Sequence, residues 1–292
     1  MFLQLSLLLL IFGQKAQGFS RVSGRRRRVS LLWASSTFEA EAAASVVGQQ
    51  HAPSPAALPY LEQRRPLKVG LLACAARTSR GEIGSAEDKQ VAVDLVTQLE
   101  SLNPVASPAS SDLVLGRWEL VWSSTYLFRS SPLFIAARAV CKEGPEAERF
   151  NLFCRLHREA LAWTQIGKVV QEVSATKLTS EFEASGSPLL GLPGPFVIKG
   201  VIQSSADIES RGDNDWVLYM DKIRIKPSSS NVPVLSNVLD EFDGIATRSI
   251  SSILEQRLNV PTPRPRFFVT YVDTHMRISR DQEDNIFVYN RV

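Results

Sequence analysis

The chain has 292 residues, 44% of them apolar and 22% charged, a balance that supports a sizeable core and fits one large or two small domains. Beyond the first dozen residues no apolar run approaches the roughly 18–20 needed to cross a bilayer as a helix, and three cysteines exclude a disulfide scaffold. The net charge of +3 is uneven: residues 1–65 hold eight basic and three acidic residues, residues 66–292 hold 25 against 27, so the body lacks the basic excess of a nucleic-acid surface.

Met1–Phe12 is an apolar stretch of signal-peptide length, and Ala16-Gln17-Gly18 offers small residues for cleavage before Phe19. Residues 1–18 are therefore expected to be a signal peptide. Phe19–Ala44 is rich in Arg, Ser and Ala, with Glu39 as its first acid, the composition of an organelle transit peptide. Gln49–Pro59 carries Pro53, Pro55 and Pro59 and reads as linker. Residues 19–60 are thus expected to be transit peptide and linker, and residues 65–292 the folded domain. The order signal then transit, opening on Phe, resembles the bipartite leaders of algae with secondary plastids.

In the body, Leu67, Leu71 and Cys74 predict a short helix over Pro66–Ala76. Ser85 with Asp88 is a capping box in an aspartate version. Val91, Leu95, Leu99 and Leu102 then line a helix that Asn103-Pro104 stops. Past Pro104 the period changes to two. Strands are predicted at Arg117–Ser123, with Trp118, Leu120 and Trp122 on one face, and at Phe150–Leu156. Others follow at Lys177–Ala184, Phe196–Ile202, Trp216–Ile225, Arg266–Val272 and Asn285–Asn290. Arg211-Gly212-Asp213-Asn214 reads as a hairpin turn, and Ile250, Ile253, Leu254 and Leu258 as one late helix. The expected fold class is α+β, N-terminal helices followed by an antiparallel sheet that loses its edges by closing into a barrel.

Chemistry is sparse. His157 and His275 are the two histidines of the body, with no metal spacing, nucleophile elbow or phosphate loop around them. Cys74, Cys141 and Cys154 form no zinc pattern, and spacing alone leaves open whether Cys141 and Cys154 pair. Two apolar segments stand out. Ser187–Phe196 places Leu189, Leu190, Leu192 and Phe196 among three prolines and two glycines, without charge. Such a loop either packs over a barrel end or faces a partner or lipid surface. Pro132–Val140 reads as core, or as a lid or interfacial segment.

Ala76-Arg77-Thr78-Ser79-Arg80-Gly81, the helix end Leu102-Asn103-Pro104, and Leu115–Ser123 open the body; Thr270–Arg280 and Asn285–Tyr289 close it. In these motifs the chain resembles the plastid lipid-associated protein (PAP)/fibrillin family over about residues 65–292. Trp122 stands where a tyrosine is usual, and Asp281 where a glycine is usual. The resemblance implies a lipocalin-like barrel and a non-catalytic protein that binds or coats lipids, quinones, carotenoids or fatty acids. It implies no cofactor, and a place in the plastid, at plastoglobules or thylakoids. The expected partners are an apolar small molecule, a peripheral lipid surface and a plastid enzyme held by a scaffold surface, with no nucleic acid. A lipid-modifying hydrolase or isomerase using His157 or His275 is the catalytic alternative. Inward strand faces bearing Trp118, Trp122, Phe182 and Trp216 would line the ligand cavity or fill a solid core. Arg277 would meet a polar head group or an acid of another strand, since Asp273 lies about 13 Å away along one extended strand. Leu189, Leu190, Leu192 and Phe196 would form the membrane-contact loop.

Overall fold

The computed structural model describes residues 58–141, 144–161, 164–186, 198–227, 245–246 and 264–292. The leader, Ser187–Phe196 and the late helix around Ile250–Leu258 lie outside the described residues. The first two helices, α1 (Leu58–Arg77) and α2 (Ala86–Ser101), form a hairpin. Helix α1 runs through Pro66 rather than starting there. The Ser85–Asp88 capping box is complete: the Ser85 hydroxyl accepts the Asp88 N–H, and the Asp88 carboxylate accepts the Ser85 N–H.

The buried face of α2 is Ala92, Val96 and Leu99, rotated from the expected Val91–Leu95 face; Val91 is 44% exposed. Ala92 lies in the buried seam, and Leu95 packs partly buried beside Gly70, where a Cβ would touch it at 3.4 Å.

The sheet contains β1 (Gly116–Ser123), β2 (Thr164–Val173), β3 (Lys177–Gly186), β4 (Ile198–Ser210) and β5 (Asp215–Pro227). A two-residue β6 (Ile245–Ala246), then β7 (Arg266–Val272), β8 (Met276–Arg280) and β9 (Ile286–Arg291) complete it. Antiparallel pairing runs β4-β3-β2-β1-β9-β8-β7-β5, and β4 also pairs β5, so eight strands close a barrel with β6 appended to β5. Closure gives every one of those eight strands a neighbour on both sides, the β5–β7 seam being the shortest at three paired residues. The α+β barrel expected from the alternating strands is thus the observed architecture.

Two predicted elements are corrected. Phe150–Leu156 belongs to a helix, α4 (Gly144–Leu161), which follows α3 (Pro132–Val140). Phe150 and Cys154 are buried while Leu152 is 43% exposed. An i, i+4 pair fits both periods, and the exposed residue between them decides for the helix. Trp122 does not share a face with Trp118 and Leu120. The register of β1 against β9 shifts between Leu120 and Trp122, so Val121 is an extra residue and the alternation inverts. Trp122 packs outside the barrel with Leu71, Cys74, Val96, Tyr271 and Ile278, under the helical hairpin.

The loop after α1 is clamped onto this outer face. Ser79, Arg80 and Gly81 have positive φ of 47°, 63° and 92°, and the Ser123 N–H donates to the Arg80 carbonyl at 3.1 Å. A Cβ at Gly81 would run into the Ser123 carbonyl oxygen and approach Trp122 Nε1 at 3.1 Å. Gly81→Ala should therefore cost about 2–4 kcal/mol, from strain and clash together. Thermal unfolding should show a Tm lower by roughly 5–15 °C; a drop under about 2 °C would show that the clamp does not constrain the fold.

Candidate functional site

The two ends of the barrel are built differently. At one end the segment 105–115, containing two short 3₁₀ turns (Pro108–Ser110 and Asp112–Val114), is tied to two tryptophans pointing inward. The Trp118 indole N–H donates to the Val114 carbonyl and the Trp216 indole N–H to the Ala109 carbonyl, each at 2.8 Å. Arg291 lies 4.2 Å over the Trp118 ring and donates to the carbonyls of Leu113, Leu115 and Thr274. Gly116, at φ +115°, leaves room for it, since a Cβ there would sit 2.7 Å from Arg291 Nη1. A pocket of about 210 Å³ beside this seal, rimmed by Ser110, Asp112, Ser174 and Ser210, is below the roughly 300–1,000 Å³ of small-molecule sites.

The opposite end is covered by residues 127–140: a 3₁₀ turn (Leu127–Ser130) and the apolar helix α3. Ile135 joins the barrel core, while Leu133, Phe134 and Ala137 pack with Phe150 and Cys154 of α4 and Ile223 of β5. Of the two readings of Pro132–Val140, burial over the barrel mouth is the observed one. Arg129 pairs with Asp281 at 3.7 Å and with Glu283, and Arg138 with Glu283 at 2.7 Å, latching the cover to the β8–β9 turn. Asp281 also shapes that turn, accepting the N–H groups of Glu283 and Asn285 at 2.9 and 3.0 Å. The residue that departs from the usual glycine thus supplies its own turn, with Asp284 at positive φ.

Between the two ends lies a polar belt. Gln171 of β2, Ser180 of β3, Ser204 of β4, and Arg277 and Ser279 of β8 are buried on inward positions, beside Tyr289 of β9. Arg277 is 0% exposed. Its guanidinium stands 4.2 Å from the Tyr289 ring, 5.4 Å from Trp118 and 5.9 Å from Trp216, and Nη2 donates to the Gln171 amide oxygen. Arg277 Nε and Nη1 and the hydroxyls of Ser180 and Ser279 have no hydrogen-bond partner, while the Tyr289 hydroxyl lies among Arg277, Gln171 and Ser130. The belt is also tied to the cover: Gln171 Nε2 donates to the Ser130 carbonyl at 2.9 Å, and the Ser131 and Ser204 hydroxyls bond at 2.9 Å.

No carboxylate among the described residues pairs with Arg277. Asp273 turns away from it. Burial pushes Asp273 up, but Lys68, Tyr271 and the His275 N–H outweigh burial and hold the carboxyl below its ordinary value. The expected acidic partner of Arg277 is therefore replaced by a glutamine amide and three aromatic faces. Burial lowers Arg277 to about 10, and nearby Arg291 acts in the same direction, so the charge persists at neutral pH. Ring faces contribute about 0.5–2 kcal/mol each against a desolvation cost of several kcal/mol for a buried ion, which leaves the cation undercompensated.

Of the expected cavity-lining residues, Trp118, Phe182 and Trp216 do face the barrel interior, and Trp118 and Trp216 flank Arg277. Trp122 does not, because of the bulge. Interior side chains here are 0–2% exposed, as Trp118, Trp216, Phe182 and Tyr289 are, so this layer is filled. Leu189, Leu190, Leu192 and Phe196 lie outside the described residues. His275 is exposed and its ring meets the Thr274 hydroxyl at 2.7 Å, while Asp273 binds its backbone N–H rather than its ring. No His–Asp dyad forms there. His157 falls on α4, the helix that replaces the predicted strand. Burial pushes the Cys154 thiol up to about 12, and all three cysteines are thiols. Among the described residues no three metal-ligating side chains converge, and no helix is long and apolar enough to cross a membrane.

Comparison with known proteins identifies a family for this chain. The family model PAP_fibrillin matches residues 65–290. The chain is 25% identical over 252 residues to "Probable plastid-lipid-associated protein 2, chloroplastic" of Arabidopsis thaliana, covering 80% of this chain and 72% of that protein. It is likewise 25% identical over 252 residues to "Plastid lipid-associated protein 2, chloroplastic" of Brassica campestris, covering 80% and 70%. "Probable plastid-lipid-associated protein 5, chloroplastic" of Arabidopsis thaliana matches at 33% over 76 residues, 25% of this chain and 32% of that one. No solved structure matches.

The latch yields a test. Burial raises the Glu283 carboxyl, but Arg138 and Arg129 outweigh burial and hold it below its ordinary value. A depressed carboxyl stabilises above its unfolded value of 4.5 and loses that contribution as pH falls through the lower folded value. Hydrogen exchange of amides 127–141, corrected for intrinsic rates, should thus stay constant from about pH 7 to 5 and rise only below. Glu283→Gln should raise exchange there about fivefold or more at neutral pH, a loss of about 1 kcal/mol, without affecting α2. Equal exchange in variant and wild type would remove the latch.

Proposed function

Because this chain belongs to the PAP_fibrillin family, we propose that it is a non-catalytic lipid-associated protein of the plastid that takes an apolar ligand into its barrel. The names of its relatives, plastid-lipid-associated and chloroplastic, support the compartment, and the signal-then-transit composition of residues 1–60 supports the route. The division into residues 1–18, 19–60 and 65–292 is part of the same proposal.

The observation that carries this reading is the asymmetry of the two barrel ends. One is sealed by backbone hydrogen bonds from Trp118, Trp216 and Arg291 to residues 109–115. The other is closed by a nine-residue apolar helix held at its rim by side-chain ion pairs. An eight-stranded barrel has room for one small ligand or for its own side chains. Here the cover supplies Leu127 and Ile135 to the core, the volume that an apolar chain would take if the cover withdrew. Gly186 and Ile198, paired at the same end, flank the segment with Leu189, Leu190, Leu192 and Phe196. These four are proposed as the contact to a lipid surface at plastoglobules or thylakoids, beside the mouth.

The test is extraction. The full chain, expressed in a lipid-rich host and purified without detergent, should release about one apolar lipid per protein into organic solvent, identified by mass spectrometry. Lipid-free protein that also fails to take up added lipid would reject the binding function.

A further inference from the structure

The polar belt is badly suited to a purely apolar ligand. It presents donors without a matching acid among the described residues: two guanidinium nitrogens of Arg277 and two hydroxyls, of Ser180 and Ser279, all buried and unpartnered. Those residues are brought together by register. Arg277 pairs with Tyr289 across β8 and β9, Ser279 follows two residues along the same face, and Ser180 pairs with Gln171, which bonds Arg277. Arg291, the next cation, is occupied by three backbone carbonyls. One positive charge therefore stands inside the barrel with no negative charge to meet it among the described residues.

We infer that the barrel holds a single-chain amphiphile with one carboxylate, its head against Arg277 and its chain directed toward α3. This assignment rests on the lipid-binding reading above and narrows it. One negative charge balances one buried guanidinium, and charge-assisted hydrogen bonds from guanidinium to carboxylate are the strong ones. The chain would be received by Leu120, Val169, Phe182 and Ile202, which line the interior beyond the belt. Entry is from the covered mouth, because the other end is sealed.

No water-sized space touches the unpartnered atoms as they stand, so binding must exchange contacts. The hydrogen bonds from Gln171 to the Ser130 carbonyl and between Ser131 and Ser204 join the cover to the belt. A carboxylate arriving at Arg277 would compete for Gln171 and for these serines, and release of the cover would supply the room.

Calorimetric titration of the full chain with dodecanoate and with dodecanol, which share a chain and differ in charge, tests this. Dodecanoate should bind at least about tenfold more tightly, and Arg277→Met should abolish the difference while leaving dodecanol within about threefold. Arg277→Lys should retain part of it. The wild-type comparison stands even if Arg277→Met does not fold. Equal affinities in wild type would overturn the carboxylate while leaving lipid binding intact; a preference that survives Arg277→Met would overturn Arg277 as its source and make the cation a structural box for its three rings. If neither probe binds and neither is taken up with the cover loosened by Glu283→Gln, the lipid-binding reading fails as well.

Discussion

Arg277 sits at the centre of a sheet that has closed on itself, and the rest of the interior is arranged around its charge. Barrel closure pairs each of the eight strands with two neighbours, which leaves side chains to deal with the guanidinium. Three aromatic faces and one amide do so in part. The same amide bonds Ser130, so the charge, the belt and the cover over the mouth share one hydrogen-bonded system.

The contrast with Arg291 is instructive. Both guanidinium groups stack near Trp118, yet Arg291 sits at the rim with three carbonyl acceptors and makes a seal. Arg277, two register positions deeper in the fold's closing hairpin, has one acceptor among the described residues. Similar side chains on one ring thus do different work, decided by the acceptors each can reach. Gly116 belongs to the same seal, because any side chain there would press on Arg291.

Much of this fold was legible in the sequence, and the parts that were not share a cause. Strands with apolar inward positions, such as Arg266–Val272 and Lys177–Ala184, announce themselves by alternation and coincide with β7 and most of β3. Strands β2 and β8 went unread because their inward positions include Gln171, Arg277 and Ser279: the belt that distinguishes the site erases the pattern that reveals a strand. The bulge at Val121 inverts Trp122 without any sign in composition. The helix at Phe150 was hidden by an i, i+4 pair that suits either period. Conversely, Trp118, Phe182, Trp216 and Arg277 could be singled out beforehand as interior candidates, whereas Gln171 and Tyr289 could not, since their importance comes from register alone.

The central claim is that the charge of Arg277, unpaired by any described carboxylate, donates to the carboxylate of a ligand. A crystal structure of the full chain grown with dodecanoate tests it most directly. The account predicts a carboxylate within about 3 Å of Arg277 Nε or Nη1, with residues 127–140 displaced from Gln171 and Ser204. A fatty acid found only on the outer surface, with Gln171 still bonded to Ser130 and no density beside Arg277, would contradict it.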